Sequence, residues 1–118
     1  MTNAIYLVRH AKAGSRAAWG DDDVLRPLVD EGREQARLIA SRLALLHPPR
    51  LVSSPFLRCR QTLEPLAEMT SLTVESVDAL REGVDTDTAL KIRETLADGS
   101  VACSHGDVIP AVLKRLEW

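Results

Sequence analysis

The sequence predicts an α/β fold of three layers, in which helices cover both faces of a mostly parallel sheet of about four to five strands. Short apolar runs alternate along the chain with longer stretches whose apolar residues recur at helical spacing. A chain of 118 residues with 45% hydrophobic residues suits one buried core and is too small for two. We therefore expect a single domain over residues 1–118.

Four apolar runs are the predicted strands. They cover residues 4–8, 50–53, 72–77 and 101–104. The first run leads directly into Arg9 and His10, and the last leads into His105. Parallel α/β sheets bind ligands beyond the carboxyl ends of their strands. We therefore expect these three side chains to lie at one edge of the sheet.

Helical spacing of apolar residues predicts the covering helices. The first helix extends through about residue 46, where Pro48 and Pro49 follow. In the second, Ser54 is the expected cap and Pro55 the first helical residue, which places Arg58 in the first turn. Its predicted buried stripe consists of Cys59, Leu63, Leu66 and Ala67.

The last two predicted helices lie on either side of the fourth strand. The third helix covers residues 86–97 and ends at Gly99, because glycine readily takes the left-handed conformation that stops a helix. The fourth begins after Gly106, with Asp107 as its expected cap.

Composition and charge narrow the range of functions. The net charge is −2, from 15 basic and 17 acidic residues, which argues against a nucleic-acid or membrane partner. No apolar stretch approaches the roughly 20 residues of a membrane span, and a cytoplasmic location is expected.

Cys59 and Cys103 are interpreted as buried, reduced thiols. The run of three aspartates at residues 21–23 is interpreted as a solvated loop, because its spacing is unlike that of a metal site, and no cofactor is expected.

The residues at the strand ends suit phosphoryl transfer. A neutral imidazole at His10 is a good nucleophile toward phosphorus. Arg9 and Arg58 offer planar guanidinium groups that grip phosphate oxygens, and His105 adds a further donor. Glu82, in a loop after the third strand, is the candidate proton donor for the leaving group.

Each of these residues also has an ordinary structural explanation. A histidine after a strand is often only hydrogen-bonded at the edge of the core, and an arginine near a helix start is often an ion-pair partner. Glu82 could belong to a polar turn, and Lys12 could be either a phosphate ligand or a surface lysine. Helical spacing alone does not distinguish Arg58 from Arg60.

The motifs resemble those of the histidine phosphatase superfamily, which has the phosphoglycerate mutase-like fold. Arg9-His10-Ala11 resembles the R-H-G motif in the form found in the small SixA-like branch of phosphohistidine phosphatases. The segments 23–36 and 53–62 resemble D-x-x-R-P-L-x-x-x-G-x-x-Q-A and S-S-P-x-x-R-A-x-Q-T. Residues 104–106 match S-H-G, and the four motifs occur in the family's order.

The resemblance implies a role for each matching residue. His10 would be transiently phosphorylated, and Arg9, Arg58 and His105 would form the phosphate pocket, in a reaction that needs no metal. Arg58 rather than Arg60 would contact phosphate.

The sequence also departs from the family pattern. Ala13 stands where a small polar residue often contacts phosphate in the family, so that contact is expected to be either missing or supplied by Lys12 or Ser15. Leu80-Arg81-Glu82 resembles the L-x-E segment that carries a proton donor in other branches. The chain ends at residue 118, earlier than its relatives, and we expect a minimal, uncapped form of the fold that is short at its C-terminal end.

The predicted function is a phosphatase that acts through a phosphohistidine intermediate. An uncapped pocket with a weak proton donor favours protein phosphohistidine, because imidazole is an undemanding leaving group. The alternative is a small phosphorylated metabolite or nucleotide, because residues 14–20 resemble the loop of phosphatase domains attached to Nudix modules. A non-catalytic module that binds a phosphorylated partner is a third possibility. The oligomeric state is not predicted.

Overall fold

A four-stranded parallel sheet forms the centre of residues 4–116, the part of the chain that the computed structural model describes. The order across the sheet is β1-β4-β2-β3, and this confirms the predicted fold class with four strands. The first strand begins at Tyr6 and includes Arg9, so it lies slightly later than predicted. The strands are β1 (Tyr6–Arg9), β2 (Leu51–Ser53), β3 (Val74–Ser76) and β4 (Val101–Ser104).

Helices cover both faces of this sheet. Side chains of α1 and α2 pack on one face, and α4 packs with α3 beside the other, which gives the predicted three layers. Strand residues alternate between the two faces: Leu51 and Val101 face α1 and α2, whereas Val52 and Ala102 face the opposite way. The helices are α1 (Asp30–Leu43), α2 (Leu57–Thr70), α3 (Thr86–Lys91) and α4 (Val108–Leu116).

Two local predictions were wrong, for the start of α2 and for the end of the third helix. Pro55 is not the first helical residue, because α2 begins at Leu57 and the Ser54 hydroxyl accepts a hydrogen bond from the Phe56 N–H before the helix starts. The third helix ends at Lys91 and continues as a 3₁₀ turn, Ile92–Glu94, rather than reaching residue 97. The Asp107 carboxylate accepts from the Gly83 N–H at 2.8 Å, so it ties α4 to the loop after β3.

The segment after β1 is held against α1 at close range. A Cβ placed on Gly32 would lie 2.0 Å from the Lys12 carbonyl oxygen, so only glycine allows this approach. Ala13 forms an antiparallel bridge with Leu28, and the Val29 N–H donates to the Lys12 carbonyl at 3.1 Å. These contacts close residues 10–29 into a defined loop above the carboxyl edge of the sheet.

Candidate active site

The carboxyl ends of β1 and β4 bring the two predicted histidines together. Arg9 and Ser104 are register partners, and the His10 N–H donates to the Ser104 carbonyl at 3.1 Å. His105 follows directly after β4, and its ring centroid lies 5.6 Å from that of His10 at an interplanar angle of 68°. The adjacency predicted from the apolar runs is therefore present in the structure.

The His10 ring has a defined tautomer. Its Nδ1 lies 2.8 Å from the Ala11 carbonyl oxygen, which can only accept, so Nδ1 carries the proton. Burial lowers the pKa of His10 below its usual value, and the nearby Arg58 and His105 charges lower it further, against the opposing effect of the Ala11 hydrogen bond. The neutral ring that results has an unprotonated Nε2.

Arg58 is fully buried and is held by two acidic residues. Its Nη1 donates to the Asp23 carbonyl at 2.9 Å, and its Nη2 donates to carboxylate oxygens of Asp23 at 3.1 Å and Glu82 at 2.9 Å. The guanidinium also stacks over the Phe56 ring, 4.9 Å from its centroid. Its Nε is buried and has no hydrogen-bond partner among the described residues.

The structure separates Arg58 from Arg60, which helical spacing did not. The two residues lie 200° apart around α2 at 100° per residue, so their side chains leave different faces of the helix. The Arg60 guanidinium binds the Ser76 hydroxyl and the Val74 carbonyl on β3. Arg58 alone of this pair reaches the edge where the histidines lie.

Asp23 is a site residue to which the sequence analysis assigned no role. Its carboxylate accepts from Arg26 Nε at 2.9 Å and from Arg58, and it lies 3.6 Å from Arg16 Nε. Burial alone would raise the pKa of Asp23, but the Arg26 hydrogen bond and the three guanidinium charges outweigh it and lower the pKa. The aspartate run is therefore not simply a solvated loop. The available signal was the D-x-x-R spacing, which pairs Asp23 with Arg26.

His105 is buried behind His10, and its two nitrogens have different surroundings. Nε2 lies 2.8 Å from the Ser54 hydroxyl and 3.5 Å from Cys59 Sγ. The Ser54 hydroxyl accepts from the Phe56 N–H, and when it donates its own hydrogen to Nε2 the ring proton lies on Nδ1. Nδ1 is buried without a hydrogen-bond partner in the described chain, 3.7 Å from a Glu82 oxygen.

Arg9 lies directly over Gly106. A Cβ on Gly106 would lie 2.8 Å from Arg9 Cζ, so the glycine of the S-H-G segment makes room for this guanidinium. Within residues 4–116 we find no ion pair or hydrogen bond to the Arg9 side chain, which leaves its donors available.

Two polar residues of α2, Gln61 and Thr62, hold the loop that carries His10. Thr62 Oγ1 accepts from the Ala11 N–H at 2.9 Å and donates to the Arg58 carbonyl at 2.7 Å. The Gln61 side-chain oxygen accepts from the Leu28 N–H at 2.8 Å. These contacts fix the backbone on both sides of the loop, and the sequence analysis did not assign them.

A cavity of about 460 Å³ opens to solvent at this edge, and Glu82 lies in its wall. Lys12 and Ser15 do not line it, and neither do Arg58 and His105, which are buried and contact Glu82 in its wall. The Lys12 ammonium pairs with Glu31 of α1 at 2.7 Å, and the Ser15 carbonyl accepts from the Ala18 N–H in a turn. The structure therefore gives no support to Lys12 or Ser15 as substitutes for a polar residue at position 13. The lining residues are Arg9, His10, Arg16, Arg26, Glu82, Gly106 and Asp107.

Residues 4–116 contain neither a metal-binding cluster nor a membrane-spanning helix. No group of three or more His, Cys, Asp or Glu side chains there is arranged to hold a metal ion. None of the helices described combines the length and the apolar character needed to cross a bilayer.

Comparison with known proteins gives relatives that include two phosphatases. The chain is 31% identical over 123 aligned residues to the 8-oxo-(d)GTP phosphatase of Mycolicibacterium smegmatis, an alignment that covers 99% of this chain and 37% of that protein. It is 36% identical over 70 residues to the phosphohistidine phosphatase SixA of Escherichia coli K12, covering 58% of this chain and 42% of the relative. The chain thus corresponds to less than half the length of each.

A solved structure and a family model agree with these relatives. The structure of the protein histidine phosphatase SixA complexed with tungstate superimposes with a TM-score of 0.76 at 28% identity, covering 95% of this chain and 75% of the other. Residues 5–94 match the model of the histidine phosphatase superfamily, branch 1. The fold, the order of the motifs and this match show that the chain belongs to the histidine phosphatase superfamily.

Proposed function

We propose that this chain is a phosphatase in which His10 is the nucleophile. The observation that carries the proposal is the set of donors left without partners around His10. Arg58 Nε and His105 Nδ1 are buried and make no hydrogen bond in the described chain, and Arg9 has no partner there either. Leaving buried donors unpaired costs free energy, and a phosphate group would satisfy them. These donors and the unprotonated Nε2 of His10 suit an incoming phosphoryl group.

The proposed reaction has two displacements. His10 Nε2 forms a bond to phosphorus while the bond to the leaving group breaks, and the donors of Arg9, Arg58 and His105 stabilise the charge on the nonbridging oxygens. Water then attacks phosphorus, the N–P bond breaks, and inorganic phosphate leaves with His10 restored. Positive charge comes from guanidinium groups in this scheme, in agreement with the metal-independent reaction that the family resemblance implies.

Glu82 and the form of the cavity support protein phosphohistidine as the substrate. Glu82 is ion-paired with both Arg58 and Arg16, and a carboxylate in this form accepts hydrogen bonds and has no proton to give. A phosphoramidate releases imidazole, which needs less proton donation than an alkoxide. The cavity also opens to solvent, so it is accessible to a histidine on another protein.

A nucleotide is the second candidate substrate. The observation that favours it is the alignment with the 8-oxo-(d)GTP phosphatase, which covers 99% of this chain. With an ester substrate the leaving alkoxide needs a proton, and Glu82 is the carboxyl group in the cavity wall that is nearest to His105. In this version Glu82 would take up a proton before donating it.

Loss of His10 tests the mechanism. We expect His10→Ala to lower the hydrolysis of an aryl phosphate by at least about 10³-fold, because the covalent route disappears. Acid-labile phosphoryl label should be trapped on the wild-type chain and not on the variant. His47→Ala is the control, since His47 lies at the end of the 3₁₀ turn that follows α1 and does not line the cavity. Equal rates for His10→Ala and wild type would contradict the mechanism.

The protonation of His10 gives a second test. We expect its imidazole to titrate below pH 6.5 in nitrogen-detected NMR spectra, because burial lowers its pKa. The free energy of unfolding should also depend on pH, because the folded chain binds this proton less readily than the unfolded chain. The contribution of neutral His10 to folding is therefore present above pH 6.5 and declines as the pH falls below it. A midpoint at or above 6.5 would contradict the assignment of a neutral nucleophile.

Arg58 and Arg60 form a matched pair of substitutions on one helix. We expect Arg58→Ala to cost about 3 kcal/mol of transition-state stabilisation, roughly 100-fold in kcat/KM, as when one preorganised donor is removed. Arg60→Ala should change kcat/KM by less than about threefold, because its side chain binds β3 instead. Thermal unfolding of both variants verifies that they are folded. Similar losses of activity in the two would remove Arg58 from the phosphate site.

A direct comparison of substrates distinguishes the two candidates. We expect kcat/KM for a phosphohistidine peptide to exceed that for nucleoside mono- and diphosphates by at least about tenfold, because the imidazole leaving group needs less proton donation. Inorganic phosphate release, measured at equal substrate concentration, gives both values. A higher value for any of the nucleotides would support the nucleotide reading and contradict protein phosphohistidine.

A further inference from the structure

One oxygen of Glu82 lies where the expected phosphate donors converge. Oε2 is 2.9 Å from Arg58 Nη2, 2.9 Å from Arg16 Nη2 and 3.7 Å from His105 Nδ1. Arg58 and His105 are two of the three groups assigned above to the phosphate. A carboxylate oxygen therefore already contacts the donors that a phosphate oxygen would use.

The electrostatics of Arg58 explain why a carboxylate lies there. A fully buried guanidinium needs counter-charge, and Asp23 and Glu82 supply it on the same Nη2 atom. An incoming phosphate brings its own negative charge to this guanidinium. Two anions beside one cation repel each other, so the phosphate and the Glu82 carboxylate compete for Arg58.

Arg16 offers Glu82 a second position. Its Nη2 contacts both Glu82 oxygens, at 3.0 and 2.9 Å, and its side chain is 63% exposed at the mouth of the cavity. An exposed arginine on a loop can follow the carboxylate outward, whereas Arg58 is fixed by Asp23 and Phe56. Glu82 can therefore leave Arg58 without becoming unpaired.

We propose that Glu82 is an exchangeable counterion of the phosphate pocket and that Arg16 is the positioning residue that retains it. Phosphate displaces Glu82 from Arg58 and His105, and the carboxylate stays at the mouth of the cavity on Arg16. When the product leaves, Glu82 returns to Arg58. The exchange weakens the binding of inorganic phosphate and so favours product release. The proposal rests on the phosphate site described under the proposed function, but it requires no turnover.

Binding of inorganic phosphate tests the exchange, by isothermal titration calorimetry at pH 7.5. We expect Glu82→Gln to bind phosphate at least about tenfold more tightly than wild type, because the competing carboxylate is removed. Asp107→Asn is the charge-matched control: Asp107 lines the same cavity, but its carboxylate is bound to the Gly83 N–H rather than to Arg58. That variant should tighten binding by less than about threefold, the scale of a screened charge at a distance.

The role of Arg16 is tested in a double-mutant cycle with Glu82. Arg16→Gln alone should weaken phosphate binding about threefold or more, because Glu82 loses its second position. In the Glu82→Gln background the same change should have little effect. An Arg16 that contacts phosphate directly would weaken binding equally in both backgrounds, and this would overturn its assigned role.

The possible results separate the exchange from the phosphate site itself. Equal affinity of wild type and Glu82→Gln, or equal tightening by Asp107→Asn, overturns the exchange and leaves the phosphate site intact. Absence of phosphate binding in every variant contradicts the site. If Glu82→Gln is unfolded in a thermal scan, the carboxyl ¹³C resonance of Glu82 in the wild-type chain serves instead. It should shift on saturation with phosphate, and an unchanged resonance overturns the exchange.

Discussion

The buried charge of Arg58 is the constraint on which the site depends. A guanidinium with no exposed surface must be neutralised, and the structure does this with segments that are distant in sequence: Asp23 from the loop after β1 and Glu82 from the loop after β3. The same pairing fixes the orientation of the Arg58 side chain, because Asp23 binds both Nη atoms and Phe56 covers the flat face. Neutralising one helix residue therefore draws two flanking loops toward the carboxyl edge of the sheet.

The loop between β1 and α1 owes its shape to backbone contacts. Gly32 admits the Lys12 carbonyl, Thr62 accepts from the Ala11 N–H, and Gln61 accepts from the Leu28 N–H. Thr62 also donates to the Arg58 carbonyl one turn earlier in α2. The same helix therefore positions both Arg58 and Ala11, the residue after His10. The motifs that are separate in the sequence thus form one connected structure, in which Gln61 and Thr62 hold the backbone around the residues proposed to contact phosphate.

Periodicity predicted much of this arrangement, and long-range pairing explains what it missed. Apolar runs that end in histidine placed His10 and His105 at one edge, because parallel strands in register bring their ends together. The D-x-x-R spacing could indicate the pairing of Asp23 with Arg26, but the pairing with Arg58 could not be predicted, because Arg58 reaches it from α2 and an acidic run in a loop is ordinarily solvated. The two roles considered for Lys12 stayed open for the same reason: its pairing with Glu31 depends on how α1 docks, which no local pattern specifies.

The two histidines show how surroundings assign different chemistry to one side chain. At His10 the Ala11 carbonyl holds the proton on Nδ1, and burial with neighbouring positive charge lowers the pKa, so an unprotonated Nε2 remains. At His105 it is Nε2 that is engaged, with the Ser54 hydroxyl, and Nδ1 is the nitrogen without a hydrogen-bond partner among the described residues. The ring proposed as the nucleophile and the ring proposed to hold phosphate thus lie 5.6 Å apart, each with a different nitrogen engaged. The proposed roles follow from position as well as from hydrogen bonds, because His10 lines the cavity whereas His105 is buried.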